Sequence, residues 1–185
     1  QCRSQSWLKT QAVWLRLHEC DLQPGVLESV LDRIVSRGYN QVYVEVFYSG
    51  QVLLPPQENR TVWPSVVRNP TFARRDLLAE SIQKAKERGL KTYAWLFSLN
   101  YGYSYGTRSD RAAALARNGY GKTTLTAVDT TNTDIEITKG DVDTVFVDPY
   151  NPQVRQDYSQ LLQAVLQRRP DGVLFDYIRY PKQPG

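Results

Sequence analysis

The sequence contains no methionine, two cysteines and one histidine. With so few soft or imidazole ligands, and no cysteine–histidine spacing that suits zinc, a zinc centre is excluded. No run of about 18 apolar residues occurs, which excludes a transmembrane helix. The glycines never gather into a phosphate cradle. The first candidate strand-to-helix turn reads HECDLQPG, residues 18–25, and lacks the glycine pattern that a nucleotide requires. No metal and no cofactor is therefore expected. A block of charge of one sign is missing too. The 23 Lys and Arg are scattered among 19 Asp and Glu, for a net charge of +4, and the densest basic cluster is only QRRP, residues 167–170. No basic stripe is interleaved with aromatics, which argues against a nucleic-acid partner.

The chain opens on polar QCRSQSWLKTQ, with neither an initiator Met nor a visible signal peptide. A processed or excised chain is expected, and removal of a secretory signal would leave such a start. Three readings of Cys2 and Cys20 stand side by side: a disulfide in a secreted protein, a lipid anchor on Cys2, or two free thiols. Gln1 fits a lipoprotein cleavage site badly. The NRT sequon at Asn59 matters only in a eukaryotic secretory pathway.

What is present is apolar content of 41% with 12 Tyr and 4 Trp over 185 residues, enough for the core of one domain or of part of a larger one. Strand and helix patterns alternate. AVWLRLHE (12–19) is β-rich. Pro24 then opens a helix whose apolar residues Val26, Leu27, Val30, Leu31, Ile34 and Val35 repeat at helical spacing up to Gly38. QVYVEVF (41–47) is the second strand, and a long proline-bearing loop leads to a second helix on Leu77, Leu78, Ile82 and Ala85. LKTYAWLFSLN (90–100) is the third strand. Residues 101–144 are irregular: a Tyr/Gly loop, a short helix capped by Ser109 or Asp110 and ended by Gly119, and a Thr-rich stretch that suits a small hairpin. A helix after Pro152 and the strand DGVLFDYI (171–178) complete the pattern.

The helix-to-strand turns are brief and the strand-to-helix loops long, as in parallel α/β proteins whose chemistry sits at the carboxyl ends of the strands. The fold class is α/β, parallel (βα)n. A doubly wound sheet lacks its nucleotide turn here, so a TIM (β/α)8 barrel fits better, with residues 1–11 as an N-terminal extension and 12–185 as a partial barrel. Such barrels need about 250 residues. About four strands are present, the N-terminal half, and half a barrel leaves two sheet edges to pair. The edges call for the C-terminal half of the barrel or for a partner chain.

In such a barrel the residues just past the strand ends face the active site. These are His18 and Glu19, Glu45, Asn100, and Asp176 with Arg179. Carboxylates around one mouth suit glycoside hydrolysis, which uses two of them, about 5–5.5 Å apart for retention or about 6.5–9.5 Å for inversion. Asp176 ends the apolar run Val173-Leu174-Phe175 and reads as a nucleophile or charge-stabilising carboxylate that Arg179 holds ionised, or as half of a structural ion pair with that Arg. Glu45 reads as a second carboxylate, or as a buried acid paired with an Arg such as Arg16. His18 reads as a sugar ligand or as a packed strand-end residue. Trp63, Tyr101, Tyr103 and Tyr105 offer faces for sugar rings, or pack on one another. Asp148 reads as a turn or cap residue.

The segment FVDPYNPQVRQDYSQLLQAVLQRRPDGVLFDYIRYP resembles the bacterial glycosyl-hydrolase-like proteins numbered ten, a family of (β/α)8-barrel glycosidases. Its NP-x-V-R element matches Asn151–Arg155, and its DG-(apolar)3-D-Y-x-R-Y-P strand matches Asp171–Pro181. AVWLR, GYNQVYVEVFYSGQVLLP and GLKTYAWLFSLN, with Trp95, look similar as well, so that the likeness covers most of residues 12–181. The resemblance implies a secreted or envelope-associated protein that acts on a polysaccharide or oligosaccharide, with the catalytic acid at Asp176. The family often carries Gln at the position of Glu45, and its general acid usually comes from a later strand. A chain with four strands alone is expected to be inactive, or to serve as a non-catalytic half barrel that binds carbohydrate or a protein partner.

Overall fold

The computed structural model describes residues 9–119, 121–123 and 145–179. Four parallel strands form one sheet in the order β1-β2-β4-β5, with β1 at Ala12–Leu15, β2 at Gln41–Tyr48, β4 at Lys91–Phe97 and β5 at Gly172–Asp176. A two-residue strand β3, Gln51–Val52, folds back antiparallel on the end of β2. The sequence predicts four strands. The fifth is too short to carry a periodicity of its own.

Helix α1 (Val26–Ser36) connects β1 to β2 and α2 (Leu77–Glu87) connects β2 to β4; after β4 come the single-turn helix α3 (Tyr103–Gly106) and then α4 (Pro152–Leu166), which leads into β5. Each boundary has a local cause. Asp76 caps α2 by accepting from the Ala79 N–H, and Asn151 caps α4 by accepting from Gln153, with Pro152 in the first helical position. Gly25 precedes α1 at φ +79°, a left-handed value suited to glycine. The apolar face of each helix packs on one face of the sheet. Val42, Val44, Ala94 and Leu96 are buried there against Leu27, Leu31, Leu78, Leu161 and Val165. Each fully buried Leu or Val contributes about 2 kcal/mol through lost apolar exposure.

The opposite, inward face is aromatic. Alternation along the strands puts Trp14, Tyr43, Tyr93 and Trp95 on it. Trp14 stacks on Trp95 at 5.6 Å and Tyr43 on Tyr93 at 4.9 Å. Gly172 stands in register with Tyr93, and a Cβ there would lie 2.8 Å from the tyrosine ring. The glycine of the DG pair is therefore required by a side chain on the next strand. A bulge between Glu45 and Phe47 shifts the alternation of β2 by one residue. Glu45 faces inward, Phe47 packs outward on Trp63, Tyr101 and Tyr158, and Tyr48 turns inward again.

Several expectations change. The first strand ends at Leu15 rather than running to Glu19, and Glu19–Leu22 form a 3-10 turn. The helix expected to run from Ser109 to Gly119 is a 3-10 helix of six residues, Ser109–Ala114, with no side-chain cap. It is the link between Arg111 and the following helix, described below, that holds it. The Thr-rich hairpin, Cys2, and the Tyr180-Pro181 end of the fourth-strand motif lie outside the described residues. Cys20 is exposed.

Candidate active site

Asp176 is the last residue of β5 and stands opposite Phe97 in the sheet. Trp95 donates its indole Nε1–H to Asp176 Oδ2 at 2.9 Å, and the Tyr177 N–H donates to Oδ1 at 2.7 Å. Each carboxylate oxygen is thus held from the protein side by one donor. Tyr177 itself stands at φ +52°, a left-handed backbone that costs a non-glycine residue about 1–2 kcal/mol. Its ring stacks on Phe97 at 4.1 Å between centroids, and Phe97 in turn packs edge-on to Trp95 at 6.0 Å. Arg179 does not pair with Asp176. Its guanidinium lies 5.1 Å from the centroid of the Tyr177 ring. The expected ion pair is corrected to a cation–π contact, because the left-handed turn at Tyr177 places the ring, and not the carboxylate, beneath the guanidinium.

Two strands away, Glu45 is 1% exposed and accepts from Arg16 through both oxygens, from Nε and from Nη2, the latter at 3.0 Å. The Arg16 guanidinium also sits over the Tyr48 ring at 4.6 Å. Glu45 raises the pKa of Arg16 further above its ordinary value, chiefly by accepting its hydrogen bonds. Tyr48 is pushed up by burial and by the Glu45 charge. A carboxylate engaged on both oxygens by a guanidinium is a charge partner, not a free proton donor. The paired reading of Glu45 is the one the structure displays.

The remaining sequence-predicted residues divide by exposure. Trp63 and Tyr101, at 1% and 2%, offer no face to a sugar. Trp63 donates to the Tyr101 carbonyl and the Tyr101 hydroxyl to the Val154 carbonyl, so the pair is a core corrected from a binding platform. Tyr105 is buried as well and stacks on Trp63 at 5.6 Å. Asn100 is buried, and its Oδ1 accepts from Gly102 and Val145, tying the segment after β4 to residues 145–147. Glu19 clamps a different loop: one carboxylate oxygen accepts from the Arg68 and Asn69 N–H groups, and these two bonds lower its pKa. Asp148 shapes a turn by accepting from the Tyr150 N–H. His18 is exposed, and its backbone N–H donates to Asp21 Oδ2. Tyr103, at 49%, is the one expected aromatic whose ring remains open.

Sequence reasoning missed Arg16 as a mouth residue, Tyr177, and a buried cluster around Asp157. Arg111 grips Asp157 at 2.7 and 3.2 Å, while the Tyr105 hydroxyl and Gln153 Nε2 each donate at 2.9 Å. Burial, with this bond second, raises the pKa of Tyr105. The signal was present, since Asp157 falls on the helical stripe of Val154, Leu161 and Val165. No group of three or more His, Cys, Asp and Glu that would hold a metal ion occurs among the described residues. Nor is any helix among them long and apolar enough to cross a membrane.

Solved structures share this architecture at low identity. A hypothetical protein from Ruminiclostridium thermocellum is 14% identical, with a TM-score of 0.60 over 92% of this chain and 78% of that one. An α-L-fucosidase from Paenibacillus thiaminolyticus is 15% identical, with a TM-score of 0.62 over 90% of this chain and 23% of that one. A maltogenic α-amylase from Thermotoga neapolitana is 13% identical, with a TM-score of 0.55 over 93% of this chain and 40% of that one. The chain therefore spans less than half of either glycosidase. At these identities the likeness establishes the fold, a parallel α/β half barrel. The sequence matches no curated protein. The profile of the glycosyl hydrolase-like 10 family matches residues 9–185, and the chain belongs to that family.

Proposed function

We propose that this chain carries part of the active site of a glycoside hydrolase acting on a polysaccharide or oligosaccharide, with Asp176 as the carboxylate that attacks or stabilises the oxocarbenium-like centre. The observation that supports this most strongly is the setting of Asp176: the end of a barrel strand, with both oxygens fixed by N–H donors and an aromatic wall of Trp95, Phe97 and Tyr177 beside them. Such a carboxylate is ordered before substrate arrives, the condition for electrostatic stabilisation of a transition state. In this reading Glu45 holds Arg16 at the mouth, Tyr103 offers a stacking face, and the general acid comes from outside the described residues. Residues 12–185 are the partial barrel, 1–11 its extension, and the place of action is outside the cell or in its envelope.

Asp176→Asn in the intact protein tests it. The expected result is a loss of turnover on glycan substrates of at least about 1,000-fold with the folded state retained by circular dichroism. Wild-type turnover in that variant would remove Asp176 from the reaction. A second reading, a non-catalytic half barrel closed by a partner, is supported by the exposed edge at β5, where Phe175 is 45% and Leu166 on α4 is 53% exposed. Carbohydrate binding without turnover in the wild-type protein, together with a stable complex with another chain, is the result that favours it.

A further inference from the structure

We infer that Arg16 is a recognition residue for a carboxylate on the glycan, and that the substrate is an acidic rather than a neutral saccharide. This rests on the reading of the Asp176 site given above. A guanidinium has two edges that can grip a carboxylate, one made by Nε with a terminal nitrogen, the other by the two terminal nitrogens. Glu45 takes the first edge, accepting from Nε and from Nη2. Among the described residues Nη1 donates to nothing, so the second edge is open. The partners differ in exposure: the Glu45 side chain is 1% exposed and that of Arg16 53%. A pair that only served the core would bury both heads, whereas here the acid is sealed beneath and the base is turned to solvent. The Tyr48 ring, 4.6 Å from the guanidinium carbon, fixes it from a further side. The side-chain freedom that a surface Arg gives up on binding is thus already lost before a ligand arrives.

The sheet register places this edge beside the candidate catalytic carboxylate. Arg16 directly follows β1, and Leu15 pairs with Val44, so Arg16 stands next to Glu45. Glu45 pairs with Trp95, whose indole donates to Asp176 Oδ2. One row of side chains therefore runs across the mouth from Arg16 through Glu45 and Trp95 to Asp176. In the order β1-β2-β4-β5 the outer strands stand three spacings apart, about 14 Å. A carboxylate held by Arg16 thus belongs to a sugar adjoining the one at Asp176. The pKa of Arg16 is raised first by the Glu45 hydrogen bonds, and the charges of Tyr48 and Tyr177 add to it, which ties the guanidinium to the residue that follows Asp176. Arg179, 5.1 Å from the Tyr177 ring centroid, brings a second cation to the same place. A carboxylate accepts both N–H groups of one edge in parallel and is the acceptor that fits it best. The net charge of +4 favours the approach of an acidic polymer.

Two measurements on the intact protein test this, and the first does not depend on turnover. Sodium glucuronate, the carboxymethyl ether of glucose, and glucose itself are titrated at constant ionic strength while the Arg16 guanidinium is followed by NMR, its signal assigned from its loss in Arg16→Lys. A saturable shift with either acid and none with glucose is the expected result. A response to glucuronate alone points to a uronic acid, and a response to the ether alone to an appended acid. No shift, or the same shift with glucose, means that the outer edge of Arg16 is taken up elsewhere in the barrel, and the inference fails whatever the protein hydrolyses. The second measurement compares kcat/KM for an acidic glycan and for the same glycan after reduction of its carboxyl groups. Arg16→Lys keeps a cation for the buried Glu45, so the fold is spared, but offers no two-pronged edge. The preference for the acidic form should fall about 30-fold in that variant. Hydrolysis with equal preference for the two forms in the wild type would overturn the inference and leave the proposed reaction standing. A saturable response to the acids without any hydrolysis would remove the reaction and leave the site.

Discussion

Glu19 lies four residues past the end of β1, and its carboxylate accepts from two successive backbone amides across about 50 residues of chain. Those bonds are stronger to the ionised form, so the folded state holds its pKa below the ordinary 4.5. The sign follows from linkage: a depressed folded pKa contributes stability above the unfolded value and loses it as pH falls through the folded one. Lowering pH below 4.5 should therefore free the Arg68 and Asn69 amides, seen as faster hydrogen exchange at those two positions relative to the sheet. Glu19→Ala, which removes the acceptor, should show the fast exchange already at neutral pH, and an unchanged profile in that variant would dissociate the clamp from the carboxylate. Single residues were legible in the sequence where chemistry and position coincide, as with Asp176 at the end of an apolar run. Trp63 and Tyr101 were not, because an aromatic in a loop reads the same whether it lies over the mouth or beneath it. Tyr177 could not be read at all, since no side-chain pattern announces a left-handed backbone.

Among the elements, residues 98–114 show how a loop that follows a strand is kept in place with only short helical turns. Gly102 at φ +75° meets the backbone of Gly50 so closely that a Cβ would lie 2.3 Å from the Gly50 nitrogen, and the Ser104 hydroxyl donates to the Gly50 carbonyl at 2.7 Å. The 3-10 helix Ser109–Ala114 is fastened to α4 by Arg111 on the buried Asp157. Removing one member of a buried pair strands the other, at a cost of about 3–5 kcal/mol. Arg111→Ala should lower unfolding stability by about 3 kcal/mol in urea titrations. Arg108→Ala, which breaks a solvent-exposed pair with Asp110, should cost less than about 1 kcal/mol. Equal costs would mean that Asp157 is satisfied by Tyr105 and Gln153 alone. The helices α1, α2 and α4 were legible because amphipathic spacing and caps agree. The 3-10 piece was mistaken for an α-helix because RSDRAAALARNG has the composition of one, and the tie that sets its geometry comes from a residue 46 positions away.

At the scale of the whole molecule, the alternation of apolar strands and amphipathic helices, with short returns at one end and long loops at the other, carried the architecture from sequence to sheet order. The inward face was not foreseen. Small barrels are commonly filled by branched aliphatic side chains, whereas this face bears stacked Trp14–Trp95 and Tyr43–Tyr93 pairs beside a glycine that makes room for one of them. Trp14 is 64% exposed on a surface that a closed barrel covers, while Trp63 is sealed in the core at 1%. The two indoles therefore form an optical gauge. Emission assigned to Trp14, taken as the difference from a Trp14→Phe variant, should be quenched by iodide in the 185-residue chain alone. It should turn bluer and resist the quencher once the remaining strands, covalent or borrowed, shut the barrel, while Trp63 stays dark to iodide throughout.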